Sequence, residues 1–463
     1  MGYNGVLFIG RYDNTKQNSN LWAFTMMDTV FSETWKKYFS INTKYALQQF
    51  DTLGNELFLL FANLRDVKES LILTINILSG TFKVIMLKHF LPIYQTHFLV
   101  IDEGKKILVG GYFNARPLVL MFEIENSSAR ILPGFFNFPG TLYQLSKNEQ
   151  TGVIEIVIRN RINNKTQGLW LKTFNYEGEI IHDVQLPYTT GQIVTQGRSV
   201  FTDDYLFVSS GTYSRKSTYY NNGFYFISPH TDNENPRPEF INFADLNNFF
   251  SYMSPRRQKH IGERIKNKRL LGKEKHFSYR VLLHSFSKVD DTFVLFGEIY
   301  SKSSSSNSYS SSFFTAAYRS VLEVYRYTSG FILSFDQQGR LVWDQAVKIE
   351  DYKSYFLSQK STFHVDDNTG IIMYAIHDKI HYKIFSENET LVDRSEVSIE
   401  PKGPNDKIVW QGNSSVNVQN WYDNKFLVYG THYVKNLYDR TENSRRKVFY
   451  INKMDYSARM TSN

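Results

Sequence analysis

The sequence predicts an all-β fold, a β-propeller of seven or eight four-stranded blades carrying one short helical basic insertion. Three observations point to it. A pair of apolar strands recurs eight times, a polar-to-glycine turn returns at the same place in several pairs, and 463 residues exceed what one compact core holds.

The recurring strand reads VLFIG from Val6, LFLLF from Leu57, ILVGG from Ile107 and IEIVI from Ile154, then LFVSS from Leu206, FVLFG from Phe293, IIMYA from Ile371 and FLVYG from Phe426. Five of the seven intervals are 47 to 55 residues, and the other two are 87 and 78. Each strand has an apolar partner: LWAFTM, LILTINI, LVLMFEI, LWLKTFN, FYFIS, GFILSFD, HYKIFSE and VFYINKM. About four short strands every 40 to 50 residues is blade spacing. One small sheet cannot bury both of its faces, so neighbouring sheets must cover one another. A set of β-sandwiches would also alternate its strands, but it would not require a fixed period.

The turn marks the outer half of a blade. Asn175-Tyr-Glu-Gly178 precedes EIIHDVQL, and Asp336-Gln-Gln-Gly339 precedes RLVWDQAV. Glycine supplies the positive φ that such a turn needs. Met27-Asp28 before VFSETW places Trp35 much as Trp343 is placed. The first repeat starts at a second strand and the last stops after a third, at Met454. We therefore expect a native segment upstream of Met1 that supplies two strands and an export signal.

Two insertions account for the long intervals. Residues 229–278 form a basic, partly helical insertion, in which Asp245 or a neighbour caps a short helix with Leu246, Phe249 and Phe250 as apolar contacts. Residues 301–312, SKSSSSNSYSSS, form a flexible serine-rich loop. Strand direction alternates within a blade, so both insertions, together with NLYDRTENSRRK (Asn436 to Lys447), are expected on one face. Binding residues concentrate on such loops.

Composition narrows the partners. Net charge is +8, yet Pro255 to Lys275 alone carries nine Lys/Arg and two Glu. The pI thus describes one segment rather than the whole surface. Chain-wide, 37 Phe and 31 Tyr suit half-buried strands. Cysteine is absent, which removes disulfides, thiol catalysis and thiolate metal sites, and fits an oxidising compartment. There is no run of 18 apolar residues, hence no candidate membrane helix.

The candidate partner-binding residues are Arg256, Arg257, Lys259, Arg264, Lys268 and Arg269. A phosphate grip would use the same cations, but no aromatic interleaves them as base stacking wants, so a protein partner is expected and nucleic acid is not. His377 and His381 flank Asp378-Lys379 and are expected to face each other across a hairpin, with no third ligand to make a metal site. Asp366-Asp367-Asn368 and Asp203-Asp204 lack the oxygen pattern of a calcium loop and read as turns. No catalytic residue, cofactor or metal is assigned.

Tyr279 to Tyr300, Tyr325 to Ser354 and the segment FADLNNFFSYMSPRRQKHIGERIKNKRLLGKE resemble uncharacterised exported, propeller-like proteins of gliding bacteria that use the type 9 secretion route. The resemblance spans roughly residues 240–390. It implies a periplasmic or cell-envelope location, a propeller-like fold and contact with an outer-membrane complex, as in the plug subunit of the type 9 translocon. It supplies no catalytic residues. The reading is a non-enzymatic protein-binding scaffold of the envelope, serving as an accessory of an outer-membrane secretion system. The alternative is an envelope propeller that binds or cleaves glycan.

Overall fold

The computed structural model describes residues 2–14, 18–135, 139–161, 167–186, 191–202, 207–216, 219–227, 238–305, 322–350, 352–366, 369–401, 403, 405–410, 414–436, 438 and 445–456. The fold is an all-β propeller of eight small antiparallel sheets. The blades begin with Val6–Asn14, Ser19–Met27 and Glu33–Asn42, a three-stranded sheet, followed by Tyr45–Leu53, Glu56–Asn63, Glu69–Asn76 and Phe82–Lys88. The third holds Tyr94–Ile101, Lys106–Phe113, Arg116–Glu123 and Ser128–Ile131. The fourth holds Gly140–Asn148, Val153–Arg161, Gln167–Asn175 and Ile180–Gln185. Ile193–Phe201, Phe207–Ser214, Gly223–Ile227 and Glu239–Asn242 make the fifth. The sixth has Arg280–Val289, Thr292–Ser305, Leu322–Phe335 and Leu341–Lys348, and its third strand also pairs with Lys353–Ser354. The seventh comprises Ser361–Asp366, Thr369–Ile376, Lys379–Ser386 and Glu389–Ser398. In the eighth, Lys425–Asn436 pairs with Ser415–Tyr422, Asp406–Val409 and Arg445–Asp455.

The chain divides into two compact units, residues 1–189, 193–207 and 231–237, and residues 190–192, 208–230 and 238–463. Inside each, sheet faces cover one another as the repeat requires. In the first, Trp22 and Phe24 of the first blade pack with Leu59 and Phe61 of the second. Leu60 and Ile72 then meet Val109 and Leu120 of the third. In the second unit, Phe226 of the fifth blade sits among Phe286, Phe293 and Phe335 of the sixth. Ile332 and Trp343 then meet Ile372 and Phe385 of the seventh. In the second to fifth and seventh blades the second and third strands are largely buried, as Leu57–Phe61 are, because sheets lie on both sides of them.

The recurring turn is one device built three times. In the sixth blade, Gly339 N–H donates to Asp336 O (3.0 Å), and Asp336 Oδ1 accepts from the N–H of Gln338 (3.0 Å) and Arg340 (2.8 Å). In the fourth, Gly178 N–H donates to Asn175 O (2.9 Å), and Asn175 Oδ1 accepts from Glu179 N–H (2.8 Å). In the first, Asp28 plays the acceptor, and Phe31 occupies the glycine position with φ 64°. Each turn is followed by one extra residue in the outer strand, at Val342, Ile181 and Thr34. The bulge sets register: Trp343 opposes Ser334 and Trp35 opposes Met26, so the two tryptophans are equivalent, and His182 takes their place in the fourth blade.

Three local expectations change. The helix does not start near Asp245. Residues Phe243–Asp245 are a single 3-10 turn capped by Asn242, whose side chain accepts from Ala244 N–H, and the helix is the basic run itself, α1 (Pro255–Leu270), with Ser254 as its N-cap. Proline at the first helical position gives up only an N–H that would be unpaired anyway, which explains the start. Ser301 to Ser305 are strand rather than loop, because Thr292–Ser305 continues pairing with Leu322–Phe335 beyond the blade; residues 306–312 lie outside the described residues. His377 and His381 do not oppose each other. His377 is in the turn with φ 56° against Trp410, and His381 opposes and stacks on Tyr374 (4.9 Å). Asp203, Asp204, Asp367 and Asn368 lie outside the described residues.

Candidate functional site

The segment that leads into α1 is fastened to the sixth and seventh blades before the helix begins. Phe243 and Phe249 stack (4.6 Å, 10°) and are fully buried, with Phe249 also against Phe331. The buried Asp344 carboxylate accepts the backbone N–H of Asn247 and of Asn248, both at 2.8 Å. Asn248 Nδ2 returns bonds to Asp344 O and Asn388 O, each 3.0 Å. Burial pushes the Asp344 carboxyl up to about 6, against the pull of those N–H donors and of the Lys383 ammonium. Lys383, itself buried, donates to Ala346 O (3.1 Å), and burial lowers its pKa.

From this base α1 is attached by one narrow stripe. Gln258 Nε2 donates to Ser251 O (3.1 Å) and Met253 O (2.7 Å); Ile261 is buried and Ile265 half-buried; Arg269 donates to Asp245 Oδ1 (2.7 Å). These positions, 258, 261, 265 and 269, recur at three and four residues and so share one face. The remaining side chains of the helix are exposed. At its C-terminal end, Gly272 at φ 65° and the Lys273 N–H to Lys268 O bond (3.0 Å) close the helix. Lys268 and Arg269 in the last turn complement the macrodipole, whereas Arg256 and Arg257 in the first turn oppose it, and no acidic residue stands there.

The six cations expected to bind a partner therefore part company. Arg257, Arg264 and Lys268, spaced by seven and four, run down one flank. Arg264 and Lys268 line a hollow of about 180 Å³ with Asn267, Leu271 and Lys275. Burial, then the charges of Arg264 and Lys268, lower the pKa of Lys275. Arg256 and Lys259 stand on other, solvent-facing sides. Arg269 is engaged by Asp245 in an exposed pair, worth at most about 1 kcal/mol. Lys275 joins the cluster although it lies beyond the helix, on the return to Arg280–Val289, a closeness that linear spacing does not carry.

A second cavity of about 430 Å³ opens beside the helix start. It is lined by Tyr252, Ser254 and Arg257 from the linker and helix, by Ser301 and Arg326 from the extended ribbon, and by Lys348 and Glu350 at the end of the outer strand and just beyond it. The basic and serine-rich insertions thus reach one hollow. Lys348 pairs with Glu350 (2.5 Å), and the Arg257 side chain has no ion pair or hydrogen bond among the described residues. Next to the ribbon base, Lys353–Ser354 pairs with Tyr325 and Arg326, and the turn that follows exposes Tyr355, Phe356 and Leu357 at 62%, 79% and 39%. Three consecutive large apolar side chains in water are unusual on a monomer surface. The run YFL is visible in the sequence, but a short apolar run reads equally well as a buried strand.

Buried acids elsewhere hold neighbouring backbone or side-chain groups. Glu298 Oε1 accepts from Lys360 N–H (2.8 Å), Ser361 N–H (2.6 Å) and Ser361 Oγ (2.7 Å), and its other oxygen meets His284 Nε2 (2.8 Å). In the first unit, Glu155 Oε2 accepts from Ser146 Oγ (3.1 Å) and Gln144 Nε2 (3.3 Å), Oε1 has no partner, and burial raises the carboxyl to about 7. No cluster of three metal-ligating acids or histidines occurs among the described residues. Among them, too, no helix is long and apolar enough to cross a membrane.

No protein-family model matches the chain, and no curated protein does. Solved structures do. The dihydro-heme d1 dehydrogenase NirN in complex with DHE aligns at 12% identity and TM-score 0.45, over 98% of this chain and 75% of that one. The polysaccharide lyase Uly1 aligns at 10% and 0.42, over 98% and 97%. The β-propeller domain of the Trilobed protease from Pyrococcus furiosus aligns at 11% and 0.37, over 87% and 97%.

Proposed function

We propose that the protein is a non-enzymatic, protein-binding scaffold of the cell envelope, an accessory of an outer-membrane secretion system. The observation that carries this reading is the presentation of α1. A 16-residue helix is held at its root by a buried carboxylate and along one stripe, and then offers most of its cations to solvent. Such a helix adds little to a core, and a rigid charged surface next to exposed aromatics is the make-up of a protein interface, in which Arg and Tyr or Phe anchors dominate. The exposed turn Tyr355-Phe356-Leu357 supplies those aromatics. The buried acids Asp344 and Glu298 are taken up in fastening structure, which favours a scaffold over an enzyme. The envelope setting and the secretion role rest on the sequence resemblance to exported proteins of gliding bacteria.

The test is capture from native envelope extracts with the full chain as bait. The wild type is expected to retain a defined component that Arg264→Glu/Lys268→Glu loses and Phe356→Ser weakens. Recovery of the same proteins by all three baits would refute the reading.

A further inference from the structure

We propose that the cavity beside the start of α1 binds a small molecule bearing a phosphate group, the doubly charged oxyanion being held between Arg257 and Arg326. This goes beyond the scaffold reading and does not depend on it.

The lining sets the charge. Arg257, Arg326 and Lys348 contribute three positive charges and Glu350 one negative, paired with Lys348, so the hollow carries a net +2. The two guanidiniums come from different elements, one on the helix and one on the third strand of the sixth blade. Two planar forks arriving from separate directions suit an oxyanion with several acceptor oxygens better than a lone carboxylate. The positive end of the helix dipole lies at the same place, and the first turn has no acid to offset it. Ser254, with no capping bond from its side chain, and the Tyr252 hydroxyl add neutral donors. Burial and the neighbouring Tyr279 raise the pKa of that hydroxyl, so it stays neutral.

The walls set the rest of the ligand. Met253, Tyr327 and Ile349 line the same cavity. Its volume of about 430 Å³ falls within the usual range for small-molecule sites, about 300–1,000 Å³, so room is left for an organic body behind the oxyanion. Tyr327 is fixed by its hydroxyl, which donates to Ser358 O (2.8 Å), so the apolar wall is preformed.

Inorganic phosphate, inorganic sulfate and phenyl phosphate, titrated calorimetrically into the full chain at low salt with chloride as the reference ion, test this. Saturable binding is expected, tighter for phenyl phosphate than for either free ion. Arg257→Gln and Arg326→Gln should each weaken it about tenfold or more, the loss expected for one charge-assisted fork. The Arg264→Gln/Lys268→Gln control, which removes twice as much charge as either cavity variant but from outside the cavity, should leave affinity within about twofold. Equal affinities of phenyl phosphate and phosphate would identify the ligand as the free ion rather than an ester. Equal losses in the control and the cavity variants, or no saturable binding of any probe, would overturn the proposal. Arg257 is exposed, so its variant should melt with the wild type, and the affinity change can be read without a folding artefact.

Discussion

Asp344→Ala should loosen the root of α1 while leaving the blades intact. Two terms set the size. Each N–H bond to a carboxylate contributes about 1.5–3 kcal/mol, so the bonds from Asn247 and Asn248 together contribute about 3–6 kcal/mol. Against this stands desolvation, which outweighs the pull of the two bonds and leaves the carboxyl raised from 3.8 to about 6. A loss of about 2 kcal/mol, within the range for buried N–H groups left without their acceptor, corresponds to roughly 30-fold faster amide exchange at Asn247 and Asn248 in the variant. The pH sign follows from the same shift. The folded-state pKa lies above the unfolded value, so the contribution of Asp344 is full below about pH 4 and declines as pH rises through 6. The wild-type advantage, corrected for intrinsic exchange, should therefore be larger at pH 5 than at pH 8. Hydrogen exchange resolved by mass spectrometry reads both. Unchanged exchange at residues 247 and 248 and along 258–265 would refute the idea that this carboxylate holds the helix base.

Two further substitutions probe the blades. Glu155→Gln keeps one oxygen for Ser146 and Gln144 and removes a carboxyl raised from 4.5 to about 7; the variant should gain on the wild type as pH rises from about 4.5 to 7, reaching about 3 kcal/mol, or about 3 °C in melting temperature for a chain of this size, and flat curves for both proteins would exclude it. Gly339→Ala places a Cβ 2.5 Å from Phe226 Cδ1 at φ 84°, and the turn strain plus overpacking should cost about 2–4 kcal/mol, measured as a lower urea midpoint; a neutral result would mean that this turn does not fix the outer hairpin.

Much of this architecture was legible because it is periodic. The five short intervals, the turn glycines and the equivalence of Trp35 and Trp343 are local patterns, and the bulges at Thr34 and Val342 show that the tryptophan offset reflects a shared register. The glycine rule alone would have missed the first turn, where Phe31 adopts the positive φ. The linker was harder to read. Leu246, Phe249 and Phe250 look like the apolar side of a helix, yet they enter the aromatic core at its edge, and the helix follows where the sequence is most polar. Its attachment depends on Asp344, about a hundred residues away, and on Asn388, further still, and no spacing rule carries those contacts. The serine run failed for a related reason. Serine composition suggests a free loop, but backbone pairing with Leu322–Phe335, helped by the Lys302 to Glu323 pair (2.5 Å), extends the strand. Lys275, on the return from the helix, and Arg326, within the third strand of the sixth blade, complete the two cationic hollows and could be found only by folding.

The placement of charge argues that α1 is held for what it presents. Were the helix only a connector between the fifth and sixth blades, a few residues from Asn242 to Tyr279 would suffice, and the Asn221–Tyr279 bridge already draws those ends together. A connector would also tend toward dipole-matched charge, with acids in the first turn. Instead both Arg256 and Arg257 stand there, and Arg264, Lys268 and Lys275 converge without a carboxylate among their lining neighbours. Burial, and then the repulsion of Arg264 and Lys268, lower the pKa of Lys275, so the arrangement works against the stability of the isolated protein. A cost of this kind is offset when a counter-charge arrives from outside. The fold can bear it because the base of the helix is secured separately, by Asp344 and the buried phenylalanines, so that strain on the exposed flank does not reach the blades.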